Sequence, residues 1–193
     1  MQWILKYREK YHIRIVNISV GTLPSVNEEG AEKLVQAVEA LWDVGIVVVT
    51  AAGNYGPRPG SITSPGISKK VITVGSCDDQ FYMEEGKKKR KSYSGRGPTA
   101  ECVVKPDLLA PGSYITSCNA RYREKGQKPY TMKSGTSMST PVVSGAIALL
   151  LSKYPDMSNV EVKLRLRESS IDIGRPQNEQ GWGLLNVEKL LKE

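Results

Sequence analysis

The stretch IRIVNISVGTLPSVNEEGAEKLVQAVEALWDVGIVVVT, residues 13–50, decides the fold. Its first nine residues, Ile13 to Gly21, are rich in β-branched side chains and almost continuously apolar. That pattern suits a strand buried on both faces of a parallel sheet. TLPSVNEEG then reads as a loop, with Ser25 and Glu28 spaced as a capping box. Ala31, Leu34, Val35, Val38, Leu41 and Trp42 recur at helical spacing, and Gly45 is placed to end that helix as its C′ residue. Ile46 to Thr50 is a second buried strand. Working outward, Val71 to Gly75 forms a third strand, residues 1–10 a short amphipathic helix, and Ser158 to Glu168 a late helix. Strand, helix, strand, loop, strand is the grammar of an α/β protein with a mainly parallel sheet flanked by helices. Such sheets carry functional groups in the loops at the carboxyl ends of their strands. Ser19-Val20-Gly21 and Ala51-Ala52-Gly53-Asn54 both fall at such ends.

The composition bounds the rest. The 193 residues are 39% hydrophobic and 24% charged, enough to bury a real core in one domain. No apolar run approaches the roughly 18 residues of a membrane span, so no membrane partner is expected. The first fifteen residues carry charges throughout and show no signal-peptide core. This leaves localisation open. The net charge is +7, but Lys87, Lys88, Lys89, Arg90 and Lys91 supply five of those charges in one run, and without them it falls to +2. The run has no interleaved aromatics and no nucleic-acid module around it, so it reads as a solvated loop; the polar, basic stretch around it, Gln80 to Arg96, reads as a surface hairpin or loop, and no nucleic-acid partner is expected. Cys77, Cys102 and Cys118 fit neither a zinc pattern nor a disulfide framework. With His12 the only histidine, no cysteine nucleophile is expected either. No Asp/Asn cluster has convincing calcium spacing. No metal and no cofactor are expected.

Ser137 stands among small residues at the start of a mostly apolar helix with Ala146, Leu149, Leu150 and Leu151. Pro141 is expected in its first turn, where proline is tolerated. A hydroxyl there has free backbone N–H groups and the positive end of the helix dipole beside it, a setting that favours a nearby oxyanion. Asn54, in a tight turn after a buried strand, has an amide able to donate to the same oxygen. The same two residues are also good choices for a helix cap and a turn. Residue types and spacing alone leave both readings open.

The literal strings carry more. SGTSMSTP (residues 134–141) resembles the nucleophile motif of the subtilisin-like serine peptidases, the subtilases, and AAGN (51–54) their oxyanion-hole segment. NISVGT (17–22) resembles their substrate-pairing strand. KPDLLAPG, YSGRGP, VITVGS and GWGLLNV follow in the order of that family's C-terminal two-thirds. The resemblance covers essentially all 193 residues and implies a three-layer subtilisin-like fold, here as a partial domain over 1–193. It implies Ser137 as nucleophile and Asn54 as side-chain oxyanion donor, with the Ser137 N–H as second donor. Ser19, Val20 and Gly21 would form one wall of a channel for an extended peptide or protein substrate, and Ala51, Ala52 and Gly53 another.

The resemblance also exposes two gaps. A Ser–His–Asp mechanism needs an imidazole base and an orienting carboxylate. In this family they lie in H-G-T and D-[ST]-G motifs that precede the serine, and neither string occurs here. His12 is followed by Ile13 and is expected to begin a strand. Three readings follow: the chain is part of a longer serine endopeptidase, it is a stand-alone pseudoprotease that binds extended peptides without cutting them, or Lys133, four residues from Ser137, acts as base. In the first two the chain alone is inactive. An open apolar strand edge is expected, and with it association with the rest of the domain or with a second copy. In many relatives a histidine follows the proline of the nucleophile motif, where this chain has Val142.

Overall fold

The computed structural model describes residues 1–23, 28–81 and 92–192, leaving out the side chains of Glu28 and Phe81. Four parallel strands form one sheet in sequence order: β1 (Ile15–Ile18), β2 (Val47–Ala51), β3 (Ile72–Ser76) and β4 (Leu108–Ala110). The register pairs Ile15 with Val47, Val49 with Ile72, and Val74 with Leu108. β2 and β3 are buried along their whole length. Helix α3 (Thr136–Lys153) lies across all four strands and α2 (Glu28–Asp43) packs on β2. A core of valine, leucine and isoleucine, including Val38, Val48, Ile72, Leu108 and Ile147, fills the layers. The parallel sheet flanked by helices is the expected α/β class.

The local signals act as the residues dictate. Helix α2 ends in a Schellman motif, with Ile46 N–H donating to Leu41 O and Gly45 N–H to Trp42 O. Helix α4 (Asn159–Ser169) is capped by Ser158, whose hydroxyl accepts from Glu161 N–H while the Glu161 carboxylate accepts from Ser158 N–H. The Ser25–Glu28 box lies outside the described residues, as do residues 82–91 with the basic run. α1 (Gln2–Tyr7), α5 (Gln177–Gln180) and α6 (Val187–Leu191) complete the helices, and β5 (Ile115–Cys118) with β6 (Tyr130–Lys133) forms a separate antiparallel hairpin.

Four expectations need correction. β1 is an edge strand, not one buried on both faces: Asn17 is exposed, only Ile18 is fully buried, and among the described residues β1 pairs with β2 alone. His12 does not begin a strand but occupies a turn with φ of 49°, three residues before β1. Pro141 is the sixth residue of α3, in its second turn, because the helix starts at Thr136. Residues 93–95 are buried rather than on a surface loop, since the Tyr93 hydroxyl lies between Ser76 and Ser113, and Ser94 N–H donates to Asp79.

One buried charge cluster joins the sheet to α4. Lys163 Nζ donates to the carbonyls of Lys69, Lys70 and Val71 and lies 3.7 Å from Asp107. Burial pushes its ammonium down to about 8 from the ordinary 10.5, against the pull of Asp107. Between those values the unfolded chain holds a proton that the folded chain has released, so stability rises with pH. Below about 8 both states are charged and the cost of burial is fully present. Burial pushes the Cys77 thiol up to about 11 from 9.0, which lowers stability as pH climbs above 9. Urea midpoints should therefore rise from pH 8 to 9, and Lys163→Met should flatten that rise. An unchanged slope in the variant would assign it to other groups.

Candidate active site

The carboxyl ends of β1 and β2 meet the amino end of α3 at a cleft of about 450 Å³ lined by Ser19, Val20, Gly21, Ala51, Gly53, Asn54, Tyr55, Thr63, Thr136 and Ser137. Its floor is Thr63. A Cβ on Gly53 would sit 2.5 Å from the Thr63 methyl, and one on Gly21 2.6 Å from its hydroxyl, so both walls can close on the threonine only without side chains. Thr63 N–H donates to Ala52 O, and the Thr22–Ser64 bridge locks the wall beyond Gly21 to the floor. Ala52 is not a lining residue. It is fully buried, just beyond the end of β2.

Ser137 is the second residue of α3. Its Oγ donates to Ser19 O at 2.8 Å. Asn54 Oδ1 accepts from Thr136 N–H at 2.9 Å and from the Thr136 hydroxyl at 3.1 Å. A backbone N–H only donates, so this contact fixes which end of the amide is oxygen. The Asn54 Nδ2 is left to donate into the cleft, and neither it nor Ser137 N–H meets an acceptor among the described residues. Two free donors thus stand beside a hydroxyl at the positive end of an 18-residue helix.

This arrangement is held from behind. Asp78 accepts from Gly112 N–H and Ser113 N–H, and Gly112 O accepts from Gly135 N–H at 2.8 Å. Gly135 caps α3 with φ of 146°, and a Cβ there would lie 3.1 Å from Asn54 Nδ2. The residue before the helix must therefore be glycine, for its backbone and for the amide it leaves in place.

All the expected site residues except Ala52 gather here. Thr63, Tyr55 and Thr136 were not singled out from sequence. Thr136 alone had a local signal, as the neighbour of Ser137. His12 sits at the opposite end of β1 from Ser19, against Val44 and Ile46, and does not line the cleft. Lys133 is exposed on β6, without the burial its role as base requires. A larger cavity of about 700 Å³ lies between α2 and the loops near Gly60, Lys69 and Ala100. It is lined by neither Ser137 nor Asn54, both of which line the smaller cleft.

The chain belongs to the subtilase family, peptidase S8, whose model matches residues 1–183. It is similar to the serine protease AprX of Bacillus subtilis strain 168, at 40% identity over 97% of this chain and 46% of AprX. It is also similar to subtilisin DY of Bacillus licheniformis, at 36% identity over 90% of this chain and 55% of that protein. Among solved structures, the prenylagaramide maturation protease PagA matches with a TM-score of 0.70 and 27% identity, over 97% of this chain and 64% of that one. The chain spans about half the length of these curated relatives.

Proposed function

We propose that this chain carries the nucleophile, the oxyanion hole and the acyl-side pocket of a serine endopeptidase. The observation that carries the reading is the convergence of Ser137 Oγ, Ser137 N–H and Asn54 Nδ2 at the mouth of the Thr63 pocket. In the reaction, Ser137 Oγ attacks a peptide carbonyl seated in that cleft. The carbonyl oxygen takes the negative charge and receives hydrogen bonds from the two donors. The amine leaves with a proton, and water then releases the acyl group from Ser137. The proton needs a base. Ser137 Oγ rests instead on the carbonyl of Ser19, which accepts a hydrogen bond but takes no proton, and no imidazole lies at the cleft. The base and its orienting carboxylate are therefore proposed to come from a further segment, with the chain by itself inactive.

Two results test this. A fluorophosphonate probe should label the chain alone about 10²–10⁴-fold more slowly than a serine protease with its general base, and Ser137→Ala should abolish labelling. Labelling at full speed would overturn the need for an outside base. Once a base is supplied, Asn54→Ala should lower kcat by about 10²–10³-fold with little change in KM, a magnitude that comes from a subtilisin, a relative of this chain. A loss of less than about threefold would remove Asn54 from the oxyanion hole.

A further inference from the structure

The hairpin β5–β6 is an exposed basic element that leads directly into the nucleophile segment. Lys133 ends β6, and only Ser134, Gly135 and Thr136 separate it from Ser137. Tyr114 N–H donates to Ser134 Oγ at 2.8 Å at the hairpin's base. Residues 119–133 hold Arg121, Arg123, Lys125, Lys128 and Lys133 against a single acid, Glu124. Among the described residues no carboxylate pairs with any of the five. Every residue from 120 to 130 is exposed, and Tyr122, Tyr130 and Met132 are each more than half exposed. The loop is nonetheless built. Asn119 N–H donates to Pro129 O, Asn119 Nδ2 donates to Lys128 O, and Arg121 N–H donates to Asn119 Oδ1. The Arg123 guanidinium packs over the Tyr122 ring and donates to its hydroxyl. A two-stranded ribbon with free edges, aromatic faces and uncompensated cations suits an extended, acidic chain.

Resting on the endopeptidase reading, we propose that this hairpin recognises acidic residues on the leaving-group side of the scissile bond. The acyl side is taken by the Ser19–Gly21 and Ala51–Gly53 walls with Thr63 between them, and no hairpin residue lines that pocket. On this proposal a peptide that passes Ser137 leaves the pocket towards the segment by which the chain enters α3, directly after β6. An extended strand rises about 3.3 Å per residue. Lys133 therefore meets the first leaving-group residues, and the loop cations meet those several positions further on. The substrate class is a polypeptide with an acidic run shortly after the cleavage point.

The test is a polarisation titration of the full chain with dye-labelled peptides that share one acyl-side sequence. They end in a run of glutamates, of serines or of lysines. At low salt the glutamate peptide should bind about tenfold or more tightly than the serine peptide, with the lysine peptide weakest. The advantage should vanish in a variant combining Arg121→Ser, Arg123→Ser, Lys125→Ser and Lys128→Ser, while serine-peptide binding stays unchanged. Equal binding of the glutamate and serine peptides would overturn the hairpin's role and leave the pocket reading standing. Binding of no peptide would overturn the pocket reading and this proposal with it. A single-stranded oligonucleotide that displaces the glutamate peptide at lower concentration than free glutamate peptide does would also overturn it, because the surface would then be a phosphate site.

Discussion

Mixed with a polypeptide that carries the family's D-[ST]-G and H-G-T motifs, the chain should label at Ser137 with fluorophosphonate about 10²–10⁴-fold faster than it does alone. On the proposed reading the chain supplies the hydroxyl, two oxyanion donors and the acyl-side pocket, and the added polypeptide supplies the base and its orienting carboxylate. We propose that such a polypeptide docks on the β1 edge. β1 pairs with β2 on one edge, and its other edge is unpaired among the described residues. Beside it runs α3, whose side chains are apolar nearly all round and leave Leu149 53% exposed together with Val142. A helix of that composition is normally covered on every side. Ser144 Oγ donates to Asn17 Oδ1 and holds helix and edge strand in one surface. A strand added there would pair with β1, cover α3 and bring its own side chains towards Ser19 and Ser137. Without it, the same surface should drive self-association, visible in sedimentation as species larger than the 21.2 kDa chain. His12→Ala should leave both labelling rates unchanged. Formation of a stable complex with no gain in labelling would sink the proposal of an external base.

How far the sequence could be read follows from what each residue's neighbours do. β2 and β3 were legible because burial on both faces writes an unbroken apolar run, and α2 because one buried stripe writes a period. β1 carries the same kind of run as β2, yet it is the edge, since a sequence does not record which strand goes without a partner. β4 was hidden between Pro106 and Pro111, a three-residue strand held by its neighbours rather than by its own pattern. At the site, Ser137 and Asn54 were found through strings. Thr63 was not, because a pocket floor built from an aperiodic loop leaves no spacing to detect. Gly53 and Gly21 become informative only once the threonine between them is seen. Lys105 is the least legible: nothing in its neighbours, a valine and a proline, marks a lysine that is 1% exposed.

That lysine carries the largest expected effect on stability. Asp107→Ala should cost about 3–5 kcal/mol, because it removes the only carboxylate that pairs with a fully buried ammonium among the described residues. Lys105 Nζ donates to Asp107 Oδ2 at 2.6 Å and to Val71 O at 3.0 Å, and the same Oδ2 accepts from Thr73 N–H at 2.7 Å. Loss of the carboxylate leaves the ammonium one acceptor, the Thr73 N–H none, and Lys163 without its counter-charge. A buried pair is worth less against apolar packing than against a broken half. Lys105→Met with Asp107→Leu should therefore cost less than Asp107→Ala alone, and urea midpoints of the two variants give that order. Equal midpoints for Asp107→Ala and the unaltered chain would show that the pair carries no such weight. The consequence reaches the nucleophile. Asp107 N–H donates to Thr73 O, and Trp182 N–H to Asp107 O, so the residue fixes β4 against β3 and the C-terminal segment. β4 runs through Ala110 into Gly112, whose carbonyl receives Gly135 N–H and so sets the start of α3. Asp107→Asn keeps an acceptor for Thr73 while losing the charge. It should lose part of the stability and keep the Ser137 labelling rate of the complemented protein, whereas Asp107→Ala should lose both.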